Sequence, residues 1–271
     1  EFGNWGGGEN MSRKPYSWLV VVGMISLCIG LSGCGKNVDT VAESTVPIEI
    51  GEHVMYGSYQ GEPVEWRVLD KKDGEILLLS EYGLDAQPFD TSGKSRVDWK
   101  DSRKWLNDDF YNSAFSEKEK ENIVESKSEG FEEYNTSMNL TGGGKPYAYL
   151  EREIEDKVFL LSNTELCAYF SEDPYPGCYS DPYAHKELLC YPTAYAKQQL
   201  ETRYQTETCG WWLCNHVYED DSVELVSAYG QGSGTSRENI KANTKSIAVR
   251  PAMWVTWQSD MEMVEANQQV E

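Results

Sequence analysis

Histidine is scarce in this 271-residue chain: His53, His185 and His216, with no H-x-H or H-E-x-x-H spacing. Neither a local zinc site nor a local His-based triad is therefore written in the sequence. No G-x-S-x-G elbow, phosphate loop or helix-opening G-x-G-x-x-G occurs either. Gly142-Gly143-Gly144-Lys145 lacks the strand and helix of a phosphate cradle and reads as a flexible loop. Glu219-Asp220-Asp221 offers carboxylates. Calcium needs roughly six to eight oxygens from an ordered loop, so a solvated acidic turn is the simpler reading. No metal and no cofactor are expected.

Cysteines and aromatics carry more. Of seven cysteines, Cys28 and Cys34 lie near the N-terminus, leaving Cys167, Cys178, Cys190, Cys209 and Cys214. Five is odd, so at least one is free or pairs between chains. The closest pair is Cys209 and Cys214. Positions five apart on a strand face opposite sides unless a bulge intervenes. Between them, Trp211-Trp212 on a strand would place one indole inward and one outward. An exposed indole beside the tyrosines Tyr169, Tyr175, Tyr179, Tyr183 and Tyr191 would stack on a sugar ring. In the alternative reading both indoles and Trp254 fill the core. The binding candidates are Trp211, Trp212, Tyr175, Tyr179 and Tyr183. Trp66, Trp105, Arg103, Trp254 and Arg250 are assigned structural roles, with the Arg250 guanidinium bonding to loop carbonyls.

The N-terminal segment reads as an address. Residues 1–10 (EFGNWGGGEN) have no targeting logic and are set aside as an upstream extension or a cloning scar. From Met11, Arg13 and Lys14 form a basic region, and Trp18 to Leu31 is an uncharged run of 14 residues. As a helix that run covers about 21 Å, short of the ~30 Å hydrocarbon core, so it reads as a signal peptide over 11–33. Leu31-Ser32-Gly33-Cys34 resembles a bacterial lipoprotein lipobox, with Cys34 as the lipidated residue. Two or three acyl chains at about 0.8 kcal/mol per buried CH₂ anchor stably. The expected location is extracytoplasmic, lipid-anchored to the bacterial cell membrane. The net charge of -21 repels phosphate backbones and anionic lipid, so no nucleic-acid partner is expected and membrane attachment rests on the anchor.

Behind the address, residues 34–47 read as a flexible tether, 48–257 as one domain and 258–271 as a loose tail. Within the domain, His53–Ser58 and Val64–Asp70 flank a turn-rich hairpin connection, with Val64, Trp66 and Val68 on one face. Glu75–Tyr82 holds the apolar run Ile76-Leu77-Leu78-Leu79 of a buried strand. Ser102 is placed as the cap of a helix through Phe110 with Trp105 and Leu106 facing the core. Ser116-x-x-Glu119 is a capping box opening a helix to about Ile123. Lys157–Leu161 reads as a strand, Asn163 as the cap of a helix to Phe170, and Pro192-Thr193 as the start of a helix through Leu200. Strands over Gly210–Cys214, Val223–Ala228 and Ile247–Trp254 close the domain. Without βαβ alternation the class is α+β, with small antiparallel sheets, two or three helices and long loops. Loops 126–155, 171–192 and 215–246 are long, polar and rich in Gly and Tyr, and are read as the recognition surface.

Several stretches together resemble a known family. They include Tyr56-Gly57-Ser58-Tyr59, Pro63 through Leu69 (PVEWRVL), Leu77-Leu78-Leu79-Ser80 and Leu84-Asp85. Next come Arg103-Lys104-Trp105-Leu106-Asn107, Phe110-Tyr111, Ala114-Phe115-Ser116 and Lys157 through Ser162 (KVFLLS). Pro192-Thr193, Tyr195-Ala196, Trp211-Trp212-Leu213 and Val249 through Trp254 (VRPAMW) complete the set. In this order they resemble the bacterial family known as domain of unknown function 6273, over roughly residues 50–257. The resemblance implies a C-type-lectin-like fold, distantly like formylglycine-generating enzymes and phage tropism proteins. This chain has Cys214 where the family usually has Arg. The expected function is a cell-surface lipoprotein whose non-catalytic domain binds a glycan or protein. The alternatives are an oxidase like the formylglycine-generating enzymes, using Cys209 and Cys214, or a purely structural envelope lipoprotein.

Overall fold

The computed structural model describes residues 46–92, 100–126, 156–170, 186–201, 207–217, 222–233 and 242–264. Cys34, the leader, Cys178, Tyr175, Tyr179, Tyr183, His185, Glu219-Asp220-Asp221 and nearly all of loop 126–155 lie outside them. Residues 44–271 form one compact unit. Among the described residues it is α+β, with antiparallel sheets and short helices.

The first sheet grows from a local meander. Strand β1 (His53–Tyr59) turns through Gln60-Gly61 into β2 (Glu62–Lys72), and Asp73-Gly74 turns that into β3 (Glu75–Ser80). Gln60 and Asp73 have φ of 54° and 53°, and each is followed by a glycine of positive φ, the left-handed pairs that tight hairpins need. Strand β4 (Ile123–Val124), β8 (Ala252–Thr256) and β9 (Glu262–Met263) complete the order β4-β8-β3-β2-β1-β9. The last strand of the domain thus joins the first hairpin through β3: Leu78 is opposite Met253, and Val68 is opposite Leu78. A second sheet is built from β5 (Trp211–Val217), β6 (Ser222–Val226) and β7 (Gly232–Ser233).

Both faces of the large sheet are covered, which is why β3 is apolar at every central position. Ile76 and Leu78 join one cluster with Val54, Trp66, Val68, Phe110, Phe115 and Met253. Leu77 and Leu79 join the other, with Phe159, Leu161, Leu166, Trp211 and Ala252.

The helices differ from the sequence reading at their ends. Ser102 lies inside α1 (Lys100–Lys104) and is buried, so it is not the cap. The chain continues through a widened turn, Trp105–Phe110, whose closing bond runs from the Tyr111 N–H to the Leu106 carbonyl, and then α2 (Tyr111–Ala114). Helix α3 (Glu117–Lys120) starts at the Ser116–Glu119 capping box but stops early, because Ile123–Val124 pairs with β8. Helix α4 (Asn163–Phe170) is capped one residue before Asn163. Ser162 Oγ accepts from the Glu165 N–H at 3.1 Å, and the Ser162 N–H donates to Glu165 Oε2 at 2.7 Å. In α5 (Ala194–Gln199), Thr193 caps by accepting from the Ala196 N–H. Lys157–Leu161 is not a ladder strand. Phe159 exchanges two backbone bonds with Ala252, and the Leu161 carbonyl accepts from Cys214 N, so the segment bridges the two sheets.

The boundaries also shift. Val46, inside the expected tether, packs on the core, and Ile48 is buried. The expected loose tail supplies β9, whose Glu262 and Met263 pair with Met55 and Val54.

Candidate functional site

Trp211 and Trp212 are each 0 % exposed, so neither indole is a stacking platform. Their side chains do alternate, but each face of β5 meets a different core. Trp212 packs on Phe89 and donates Nε1 to the Gln87 carbonyl, while Trp211 belongs to the other cluster and donates Nε1 to the Leu188 carbonyl. The alternation rule assigns faces; it does not say that a face is wet.

The structural residues sit as follows. Trp66 is fully buried and donates to the Tyr56 carbonyl at 2.8 Å. Arg103 Nε reaches both oxygens of buried Asp156 at 2.8 Å. Trp105 is partly buried, stacked on Phe110 and edge-on to Tyr59. Trp254 is partly buried against the second cluster. Arg250 is fully buried, and its Nε donates to the Ser80 carbonyl at 2.8 Å, a strand-end carbonyl.

Around Arg250 the fold assembles a site from segments far apart in sequence. Gly83 N donates to the Tyr191 carbonyl, Thr193 N to the Gly83 carbonyl, and Cys209 N to the Cys190 carbonyl. Thr208 Oγ1 donates to the Ala228 carbonyl at 2.6 Å. Four short stretches therefore run side by side: Tyr82-Gly83, Cys190-Tyr191, Thr208-Cys209 and Ala228-Tyr229. Each of Tyr82, Tyr191 and Tyr229 projects into solvent, at 37 %, 49 % and 55 % exposure. Sequence reading placed Tyr191 among the loop tyrosines but missed Tyr82 and Tyr229. Their signal is a Tyr-Gly pair at a strand end, where glycine bends the chain and leaves the tyrosine outside; Gly230 has φ of 72°.

Beside Tyr82 lies a charged group. Arg67 donates to both oxygens of Glu81, at 2.9 and 2.7 Å. His53 Nδ1 is 2.6 Å from Glu65 Oε1, and its Nε2 is 3.8 Å from Glu81 Oε2. Burial, and then the charges of Glu65 and Glu81, push the Tyr82 phenol above its usual pKa. Arg250 Nη2 approaches Glu81 Oε2 only to 3.8 Å, and among the described residues its Nη1 and Nη2 have no hydrogen-bond partner; the guanidinium lies over the Trp211 ring at 5.0 Å.

The thiols fall on the buried side. Cys190 and Cys209 are buried, while Cys214 is partly exposed and bonded through its N–H to Leu161. The neighbour of Cys209 is therefore Cys190 and not Cys214, against the pairing suggested by spacing. Burial raises the Cys190 pKa, but the Cys209 thiol, the Arg250 charge and the Gly83 N–H outweigh it, and the net direction is down. The nearby Cys190 thiol, and then burial, push the Cys209 thiol up. Among the described residues, no group of three or more His, Cys, Asp or Glu could hold a metal ion.

A second aromatic group lies along the same segment. Tyr59 meets Trp105 and Tyr195 edge-on, at 6.2 and 6.0 Å, and donates its hydroxyl to buried Asp85 at 2.6 Å. Burial and that carboxylate push the Tyr59 phenol far up. Gln87 Nε2 also reaches Asp85, at 3.2 Å.

A family model described as Domain of unknown function (DUF6273) matches residues 73–257. The match starts in the turn before β3, so the β1–β2 hairpin lies outside it although it shares the sheet, a shorter span than the sequence resemblance suggested. No curated protein and no solved structure matches the chain.

Proposed function

The chain belongs to the family Domain of unknown function (DUF6273), and from that premise we propose that it is an extracytoplasmic lipoprotein with a non-catalytic binding domain of C-type-lectin-like type. The anchor is lipid on Cys34, and the ligand is a neutral sugar; a neutral or basic protein surface is the other ligand this chemistry admits. One observation carries the reading: three exposed tyrosines, Tyr82, Tyr191 and Tyr229, stand on adjacent segments, with the charges of Glu65 and Glu81 beside the first of them. Tyrosine offers a flat apolar face and a hydroxyl with only two χ angles to freeze, which suits stacking on a sugar ring. The carboxylates beside Tyr82 would accept sugar hydroxyls, and the net charge of -21 disfavours anionic glycans.

The test is a glycan array probed with wild type and with the triple variant Tyr82→Ser/Tyr191→Ser/Tyr229→Ser. Because all three rings are exposed, the variant should keep its unfolding midpoint within a few degrees, each surface change costing less than about 0.5 kcal/mol. It should lose at least about tenfold in affinity, since base-like stacking on aromatics is worth roughly 1–3 kcal/mol. Equal binding by the folded variant refutes the site. For the anchor, Cys34→Ala should move the protein out of the membrane fraction or leave an uncleaved precursor; fully processed, membrane-bound variant would refute it.

A further inference from the structure

We propose that Cys190 and Cys209 are a modification site and that the working form of the domain carries a disulfide between them. Both are thiols in the structure, and the backbone already holds them as a bonded pair. The Cys209 N–H donates to the Cys190 carbonyl at 2.8 Å, and Cys209 Sγ is 3.5 Å from the same oxygen. That single bond sets the two backbones side by side, and a disulfide bridges Cα atoms ~4.4–6.8 Å apart. The side chains converge as well. A Cβ added to Gly83 would lie 3.1 Å from Cys209 Sγ and 3.5 Å from Cys190 Sγ, so both sulfurs border one small volume that only glycine leaves open. Both thiols are directed at carbonyls of one short stretch, Cys209 Sγ at Cys190 and Cys190 Sγ at Tyr191, 3.8 Å away. Cys214, the nearer partner by sequence, is held elsewhere by its backbone bond to Leu161.

The chemistry is thiol–disulfide exchange with a small-molecule or protein disulfide. The Cys190 thiolate attacks one sulfur of that disulfide, expelling one thiolate and leaving a mixed disulfide. Cys209, on losing its proton, attacks the Cys190 sulfur and expels the second. Two protein thiols are oxidised, the incoming disulfide is reduced to two thiols, and the two protons pass to the thiolates released. Both cysteines are at most 4 % exposed, so exchange happens during folding and the closed bond is then shielded from reductant. The bond closes the chain around α5 and fastens the segment bearing Tyr191 to the one beside Tyr229. It is independent of the ligand proposed above.

To test it, the full chain is exported from a bacterial host, extracted in detergent without reductant, unfolded in excess iodoacetamide, digested and mapped. A peptide linking Cys190 to Cys209 is the expected result. If that preparation and a second one refolded in glutathione disulfide both show Cys190 and Cys209 fully alkylated, or show Cys209 joined to Cys214, the proposal is overturned. A stability arm uses reductant on the unfolding chain. Wild type should lose roughly 5 °C in its midpoint. Cys190→Ala/Cys209→Ala, which removes both thiols of the pair together, should not respond. A wild-type midpoint unmoved by reductant, with the two thiols then shown to be alkylated on unfolding, also overturns it.

Discussion

Tyr56 shows how one buried side chain sets a response to pH. Its ring packs on Phe115, and its hydroxyl donates to the Glu119 carbonyl at 2.6 Å. Burial, together with the Glu119, Tyr111 and Asp260 charges, raises its pKa to about 12, against a hydrogen bond from Asn122 that lowers it. A raised folded-state value means that the native state holds the proton more tightly than the unfolded chain. The contribution is complete below the unfolded pKa near 10 and is lost as pH climbs from there through about 12. Tyr59 and Tyr169 are shifted upward for the same first reason, burial. Unfolding in urea should therefore show stability falling between pH 10 and 12, with Tyr56 accounting for of order 2 kcal/mol. Tyr56→Phe should be less stable near neutrality, having orphaned a carbonyl, and should show a shallower alkaline slope. An unchanged slope would contradict the assignment.

Among the elements, the short helix α3 matters through one residue. Glu119 Oε2 accepts from the Ser116 N–H at 2.7 Å as half of the capping box, while its Oε1 accepts from the Gly57 N–H at 3.0 Å. The same glutamate thus caps a helix and holds the irregular stretch of β1 between Met55 and Ser58. Gly57 itself has φ of 70° and leaves room for the Ala114 carbonyl, 2.6 Å from where a Cβ would sit. Ser116→Ala removes only a cap and should cost about 1 kcal/mol. Glu119→Ala frees two backbone donors and should cost about 2–3 kcal/mol, Glu119→Gln less. Chemical denaturation ranks the three; equal losses for Ser116→Ala and Glu119→Ala would show that the link to β1 is idle.

Across the described part of the domain, its first and last strands are paired at one edge of the large sheet. Strand β9 covers the free edge of β1, and Val264 N donates to the His53 carbonyl at 3.0 Å. Truncation after Trp257 keeps the β8 ladder and every buried member of both apolar clusters, removing only Met261 from the edge of the first. The shortened chain should fold with a loss of about 1–2 kcal/mol, and its bared β1 edge should raise its tendency to self-associate. Thermal unfolding and light scattering measure the two effects. Complete loss of folding would make the tail part of the core.

What the sequence determined by itself is local: the β1–β2–β3 meander, the Ser116–Glu119 box, the Thr193 start and the α+β class. Alternation, turn residues and caps act over a few neighbours, and their energies are decided within the segment that carries them. The same signals were silent wherever two distant segments share a space. Trp211 and Trp212 alternate as the pattern requires, yet both are buried because β5 meets a core on each side. Cys190 and Cys209 are brought together only by a backbone pairing beside Gly83, which no spacing rule encodes. Tyr82, Tyr191 and Tyr229 form a rim because four unrelated stretches lie in parallel there. Burial and proximity are properties of long-range packing, so the elements were legible in the chain and the site was decided by the tertiary structure.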